Sequence, residues 1–313
     1  MDNEKKPVII FDTDMDTDCD DAGALAMLLE AHLQNKIELI GMVSDSVCAY
    51  AAPCCEAIAQ SYGVSVPVGT LYVKDYAEAE RFDAYRAHSA KCARESRDYN
   101  RVFAEQIDKT DQDYPSAVSV YRKLLAQAED ESVTMLCVGM LTAIAETLKT
   151  KADDISPLSG VELFRKKVKK VITMGNPEKV NDFNWGMDAQ STKTFFELCP
   201  VPIYISAQGK TIVTGAHLGE FLEADHPVRQ AYSIWLGAEN TGRASWDLIA
   251  SLYAIHPDTP HLKCHDFGKC SYDTENKVTL VEKVHNSPCK TLHITCTDEQ
   301  MTEILNDCML GAF

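Results

Sequence analysis

Short apolar runs alternate with longer stretches of helical period along most of the chain. PVIIF, at residues 7–11, is bounded by proline and aspartate and predicts a buried strand of the parallel type. From Asp21 the segment AGALAMLLEAHLQ carries apolar residues at helical spacing behind a group of acids, as a helix N-terminus prefers. IELIGMVS at 37–44 predicts the next strand, AAPCCEAIAQSYG a helix ending at Gly63, and VSVPVGTL a strand over 64–71. After a gap the alternation resumes. PSAVSVYRKLLAQAED predicts a helix, VTMLCVG a strand, LTAIAETLK a helix, KVITMG a strand, and DAQSTKTFFELC a helix leading into the strand VPIYIS. KVTLVEKVH and TLHITC alternate like an antiparallel edge pair, and a last helix starts near Asp298. This order predicts an α/β, Rossmann-like fold: a mostly parallel sheet of about six strands or more, flanked by helices, with an antiparallel edge pair.

The gap, about residues 74–114, is charged and aromatic and has no strand period. It predicts an insertion or lid beside the site, with Phe82, Tyr85 and His88 as candidate contacts. No internal repeat or long linker is present, so residues 1–313 read as a single domain.

The chain has 47 acidic against 30 basic side chains, a formal net charge of −17, which argues against nucleic acid and anionic membranes as partners. No apolar run approaches the roughly 20 residues of a membrane span, and MDNEKKP lacks a secretory apolar stretch. The expectation is a cytoplasmic protein, unless a signal peptide has been removed. The 12 cysteines include no CxxC pair and read as reduced, mostly core residues. His261, Cys264, His265 and Cys270 form one candidate zinc cluster, for which a polar loop with a buried thiol is the preferred reading.

The decisive feature is FDTDMDTDCDDAG, which places Asp12, Asp14, Asp16, Asp18, Asp20 and Asp21 within ten residues at the end of the first strand. Carboxylates gathered at the carboxyl edge of a parallel sheet raise one another's pKa unless a cation neutralises them, and a hard divalent ion suits oxygen ligands. An EF-hand loop starting at Asp12 or Asp14 lacks its glycine and its final glutamate, since Thr17 or Cys19 and Gly23 or Leu25 stand there. A DxD phosphotransferase fits imperfectly. As a magnesium-dependent phosphohydrolase the chain would need a lysine on a later strand, for which Lys210 is a candidate.

VIIFDTDMDTDCDDAGALAML resembles the N-terminal signature of the inosine-uridine-preferring nucleoside hydrolase family, with Asp16 in place of a glycine. The resemblance runs over roughly residues 8–256: IGMVSDSVCAYAAPCCEAI, LCVGMLTAIAETL, ITMGN with NDFNWGMDAQST, and SWDLIASLYAI follow in the family's order. It implies calcium-dependent hydrolysis of the N-glycosidic bond of ribonucleosides in purine and pyrimidine salvage, by a homo-oligomer, dimer or tetramer. It further implies calcium held by Asp14, Asp21, Asp247 and the carbonyl of Val138, with Asp14 as general base and Asp20 on the ribose hydroxyls. Asp16 and Asp18 are rivals for these roles, because counts from the strand and from the helix disagree by two positions. Asn176, Asp182 and Asn184 match ribose-binding positions, though such residues also cap turns.

Two departures bear on substrate. Cys48 stands where the family often has an asparagine reaching the sugar, leaving Asp45 or Ser46 to substitute. Trp246 replaces a histidine that serves the leaving base in some members; it either stacks on a purine, helped by Trp185, or packs on its own helix. These departures keep open a degenerate homologue that binds metal and a ribose-like ligand with little turnover.

Overall fold

The computed structural model describes residues 5–72 and 78–313. Its strands are β1 (Val8–Thr13), β2 (Glu38–Ser44), β3 (Val68–Thr70), β4 (Val133–Cys137), β5 (Val168–Met174), β6 (Ile203–Ser206), the short pair β7 (Val213–Thr214) and β8 (Arg243–Ala244), then β9 (Leu262–Asp273), β10 (Val278–Glu282) and β11 (Cys289–Ile294). Apart from β7 and β8, they form one sheet in the order β10-β9-β11-β6-β5-β4-β1-β2-β3. All neighbours from β3 to β11 are parallel, and β9 runs antiparallel to both β11 and β10.

From β3 to β6 the order is 3-2-1-4-5-6, and the direction of winding reverses between β1 and β4, the crevice where open α/β sheets bind ligands. β1 is central because both its faces are apolar. Ile9 and Phe11 join the core under the helices Asp20–Leu33, Ala51–Ser61, Pro227–Leu236, Trp246–Ile255 and Asp298–Met309. Ile10 joins the other core layer, under Ala117–Gln127, Thr142–Leu148, Gly160–Lys167 and Ala189–Leu198. The helix Asp20–Leu33 is buried almost all round, which is why its sequence is apolar on nearly every face, with acids only at Asp20 and Asp21 in the first turn and at Glu30 near the end.

The expected mostly parallel sheet with helices on both sides and an antiparallel edge is present, with two local differences. The segments expected to pair with each other, now β10 and β11, instead flank β9, which occupies the stretch read as a polar loop. Asp273 fixes that outcome: its carboxylate accepts the N–H groups of Glu275 and Asn276 at 3.0 and 3.1 Å, a tight turn that folds β10 back onto β9. β3 is also shorter than expected, beginning only after Pro67, which has no N–H to give the ladder. The insertion expected over 74–114 begins in residues 74–77, outside the described ones. Beyond them it forms the helices Asp83–Arg94 and Tyr99–Gln106, and no strand. No described helix is long and apolar enough to cross a membrane.

Gly139, just beyond β4, lets the loops after β1 and β4 touch. A Cβ there would lie 2.6 Å from the backbone N of Asp14 and 2.9 Å from its Cβ. Gly139→Ala is therefore expected to destabilise the fold by about 1–3 kcal/mol, because backbone must move rather than a flexible side chain. Denaturant unfolding checks this; an unchanged midpoint would show that the two loops are not in contact.

Candidate active site

The loops after β1, β2, β4 and β5 meet at the winding reversal. Asp12, still in β1, accepts the hydroxyl of Tyr121, and its other oxygen is buried without a partner. Asp14 accepts the Thr17 hydroxyl at 2.8 Å and lies against Gly139. Asp16 accepts the hydroxyl of Tyr85 and sits beside Ser89 and Cys48. Asp18 is drawn aside: it receives Nε of Arg243 at 2.8 Å and the backbone N–H of Cys19 at 2.8 Å.

Asp20 and Asp21 open the helix Asp20–Leu33, where unpaired N–H groups favour carboxylates. Asp20 accepts the backbone N–H groups of Trp246 and Asp247 at 2.9 and 3.2 Å, so it caps the helix Trp246–Ile255 from across the crevice. Asp21 accepts the Thr13 hydroxyl. These bonds bring carboxylate oxygens of Asp20, Asp21 and Asp247 within 4.8 Å of one another, at 2%, 1% and 2% exposure. Asp247 Oδ1 has no hydrogen-bond partner.

Electrostatics explain what such a group needs. Burial pushes the Asp21 carboxyl well above the ordinary range, and Asp14 and Asp20 push it further. Asp247 is raised well above it by burial, then by Asp20 and Asp21. Asp20 is pushed up to about 8 by burial and Asp18. Asp14 is likewise raised by burial and then by Asp16. Without a counter-charge these groups hold protons rather than stand ionised side by side.

Of the four ligands implied by the sequence resemblance, Asp21 and Asp247 lie in this cluster, Asp14 acts on both through its charge, and Val138 precedes the Gly139 that packs on Asp14. Asp20 joins the cluster directly. The Val138 carbonyl receives the side-chain amide of Asn184, which ties the fourth expected ligand to a ribose-binding candidate. Asn176 stands in the turn after β5, its Oδ1 accepting the N–H of Glu178 at 2.9 Å. Asp182 caps the short helix Phe183–Met187 by accepting the N–H of Trp185 at 3.4 Å. Trp185 is fully buried, edge-on to Phe196 at 5.2 Å between ring centres and pressed against Gly175, so it packs in the core. Trp246 is half-buried, with the Arg243 guanidinium 5.4 Å from its ring centre.

In the loop after β2, Asp45 accepts the N–H of Ala143 at 3.0 Å and leaves its other oxygen unpaired; burial raises its carboxyl to about 7. Ser46 accepts the N–H of Cys48 at 2.9 Å. The Cys48 sulfur receives the amide of Asn100 at 3.2 Å, and burial, then Asp16, pushes its thiol well up.

The insertion closes over the acidic loop at several points. Tyr85 reaches Asp16, His88 Nε2 lies 3.4 Å from the Thr17 carbonyl, and the Tyr99 hydroxyl donates to the Asp18 carbonyl at 2.7 Å. Phe82 is buried under Arg81. A cavity of about 420 Å³ opens on this side, lined by Asp16, Cys48, Tyr50, Tyr72, Tyr85 and Asn100 among others. The sequence pattern does not point to Asn100 or Arg243; the only sign of Arg243 is a cation three residues before Trp246 in an acid-rich chain.

The other metal candidates do not assemble. Cys264 is exposed on β9, His265 stacks edge-on against His293 at 4.8 Å, and Cys270 is buried in contact with Cys289. Lys210 is exposed.

The family model described as inosine-uridine preferring nucleoside hydrolase matches residues 9–302, so the likeness extends past residue 256 through the edge strands. Among solved structures the chain is similar to an inosine-guanosine nucleoside hydrolase, at 14% identity over 98% of each chain with a TM-score of 0.64. It is similar to a purine-preferring ribonucleoside hydrolase from Gardnerella vaginalis, at 14% identity over 97% of this chain and 99% of that one, TM-score 0.64. It is also similar to the type III effector protein XopQ, complexed with adenosine diphosphate ribose, at 13% identity over 99% and 94%, TM-score 0.68. At such identities the structural likeness is one of fold. No sequence among the curated proteins matches the chain.

The acidic cluster makes stability depend on pH in a defined direction. Folded carboxyls whose pKa lies above the unfolded value keep protons that the unfolded chain has lost. Metal-free protein is therefore expected to lose stability as pH rises from the ordinary 3.8 through about 8. Thermal unfolding in chelator at about pH 5 and about pH 8 checks this, with added calcium expected to raise the midpoint more at the higher pH. A flat profile would mean that the carboxylates are ionised and solvated.

Proposed function

The chain belongs to the inosine-uridine preferring nucleoside hydrolase family, and from that premise we propose that it hydrolyses the N-glycosidic bond of ribonucleosides, purine ribonucleosides first, with calcium as cofactor. The observation that carries the reading is the buried set Asp20, Asp21 and Asp247, with an unpartnered Asp247 oxygen, at the winding reversal of the sheet. The donors are all oxygens, without histidine or thiol, which suits a hard cation such as calcium. Asp20, Asp21 and Asp247 would hold it, with Asp14 close enough to act on Asp21 and Asp247 and the Val138 carbonyl assigned as a ligand on the resemblance. A cation held there would neutralise the carboxylates and would supply Lewis acidity that helps activate the attacking water.

The protein's own groups supply the rest. Asp14, steadied by Thr17, takes the proton of the attacking water. Burial raises its carboxyl, and a cation beside it would favour the ionised form that a general base requires. The buried carboxylates face the positive charge that develops on the sugar as the base departs. Asn184, fixed to the Val138 carbonyl, and Asn176 with Asp182 are assigned to the ribose hydroxyls. Trp246, its ring steadied by Arg243, presents an indole on which a purine stacks, and the purine-named relatives agree with that choice. A homo-oligomer working in nucleoside salvage belongs to the same proposal and rests on the family resemblance.

A second reading, a ligand-binding homologue with little turnover, is favoured by Tyr85 on Asp16 and Asn100 on Cys48, bonds that place the insertion over the loop.

Release of free base and ribose from inosine, uridine and p-nitrophenyl riboside, with and without chelator, separates the two. Chelator-sensitive release is expected, with Asp14→Asn lowering kcat by on the order of 10²–10⁴. Calcium-loaded protein that binds a riboside and releases nothing would install the second reading instead.

A further inference from the structure

At the opposite end of the sheet, near the amino ends of the parallel strands, an amine and a thiol share one aromatic ring. Lys170 is the third residue of β5 and Tyr204 the second of β6. Tyr253 comes from the helix Trp246–Ile255, and its ring lies 5.4 Å from that of Tyr204 at an interplanar angle of 34°. The Lys170 ammonium stands 4.4 Å from the centre of the Tyr253 ring and 5.3 Å from that of Tyr204. Cys264, exposed on β9, donates its thiol to the Tyr253 hydroxyl at 3.1 Å. Tyr253 therefore holds the amine over its face and the thiol at its edge.

The two groups differ in a useful way. Partial burial brings the Lys170 amine down to about 8, helped by Lys169 and opposed by Cys264 and Asp258. A sizeable share of the amine is then neutral and nucleophilic near neutral pH. The exposed thiol is the better group for capturing an electrophile from solution.

We propose that Cys264 and Lys170 form an acyl-acceptor pair, a modification site that takes an acyl group from a small thioester and fixes it on Lys170. In the first step the Cys264 thiolate adds to the thioester carbonyl and expels the donor's thiolate, which takes up the proton lost by Cys264. In the second, the neutral Lys170 amine adds to the new Cys264 thioester. Its C–S bond breaks, an amide forms, and the amine's proton passes to the Cys264 sulfur. The sum is donor thioester plus amine giving amide plus donor thiol, with no oxidant or reductant. Tyr253 is a positioning residue, and the nucleoside hydrolase chemistry at the other edge of the sheet is not involved.

The test is to incubate the full chain with acetyl-coenzyme A and follow acetylation residue by residue by mass spectrometry, with acetic anhydride as a donor that needs no thiol. Lys170 is expected to be acetylated by the thioester on the order of tenfold faster than its exposed neighbour Lys169, because capture at Cys264 makes the second step intramolecular. Cys264→Ser is expected to abolish that advantage and to leave anhydride labelling of Lys170 unchanged. Tyr253→Phe, which keeps the ring and removes the hydroxyl, is expected to retain acetylation at Cys264 while slowing transfer to Lys170. Equal rates at Lys170 and Lys169, or a Lys170 rate with thioester that survives Cys264→Ser, would overturn the proposal.

Discussion

Carboxylates buried within a few ångströms of one another repel, and the whole carboxyl edge of this sheet is arranged around that repulsion. Asp12, Asp14, Asp20, Asp21, Asp45 and Asp247 are all buried, and each is raised above the usual carboxylate range by burial first. The protein meets part of the cost with donors: Tyr121 to Asp12, Thr17 to Asp14, Thr13 to Asp21, and two backbone N–H groups to Asp20. It leaves single oxygens of Asp12, Asp45 and Asp247 without partners, and a buried acceptor left bare is costly unless something in the working protein fills the gap. A cation held by Asp20, Asp21 and Asp247 would supply the missing partner of Asp247.

The same constraint accounts for the surroundings. Asp18 still pushes on Asp20, and Arg243 offsets that charge in a half-buried ion pair whose guanidinium also lies over Trp246. Asp16, standing where the resemblance has a glycine, is bonded by Tyr85 of the insertion. The insertion thus does two things at once: it covers the loop and provides donors for acids the loop alone could not satisfy. One of its own acids, Asp111, is spent in the same manner on the N–H of Ala52 and the hydroxyl of Thr70, which fixes the start of the helix after β2.

Much of this is legible in the residues. The apolar runs around Ile9 to Phe11 and Val133 to Cys137 are buried on both faces, and a run of that kind fits a central parallel strand and little else. The clustering of aspartates behind β1 marks the site because no surface loop needs so many like charges there. Other elements are hidden for physical reasons. The helix Pro227–Leu236 begins with proline after a capping His226, and Gly160–Lys167 has a Ser159–Glu162 capping box; both signals are local, short and easily missed. The place of β9 depends on pairing with strands that follow it, which its mixed polar sequence does not encode. Partners far apart in sequence, such as Asp18 with Arg243 and Cys48 with Asn100, are set by packing alone.

The most direct measurement is the amount of calcium held per chain by equilibrium dialysis at about pH 8, where the cluster must ionise or be neutralised. One tightly held cation is expected in the native chain and none in a folded Asp20→Asn, Asp247→Asn double variant. A folded native chain that holds no divalent cation, or a double variant that holds it equally well, would contradict a metal centre at these carboxylates.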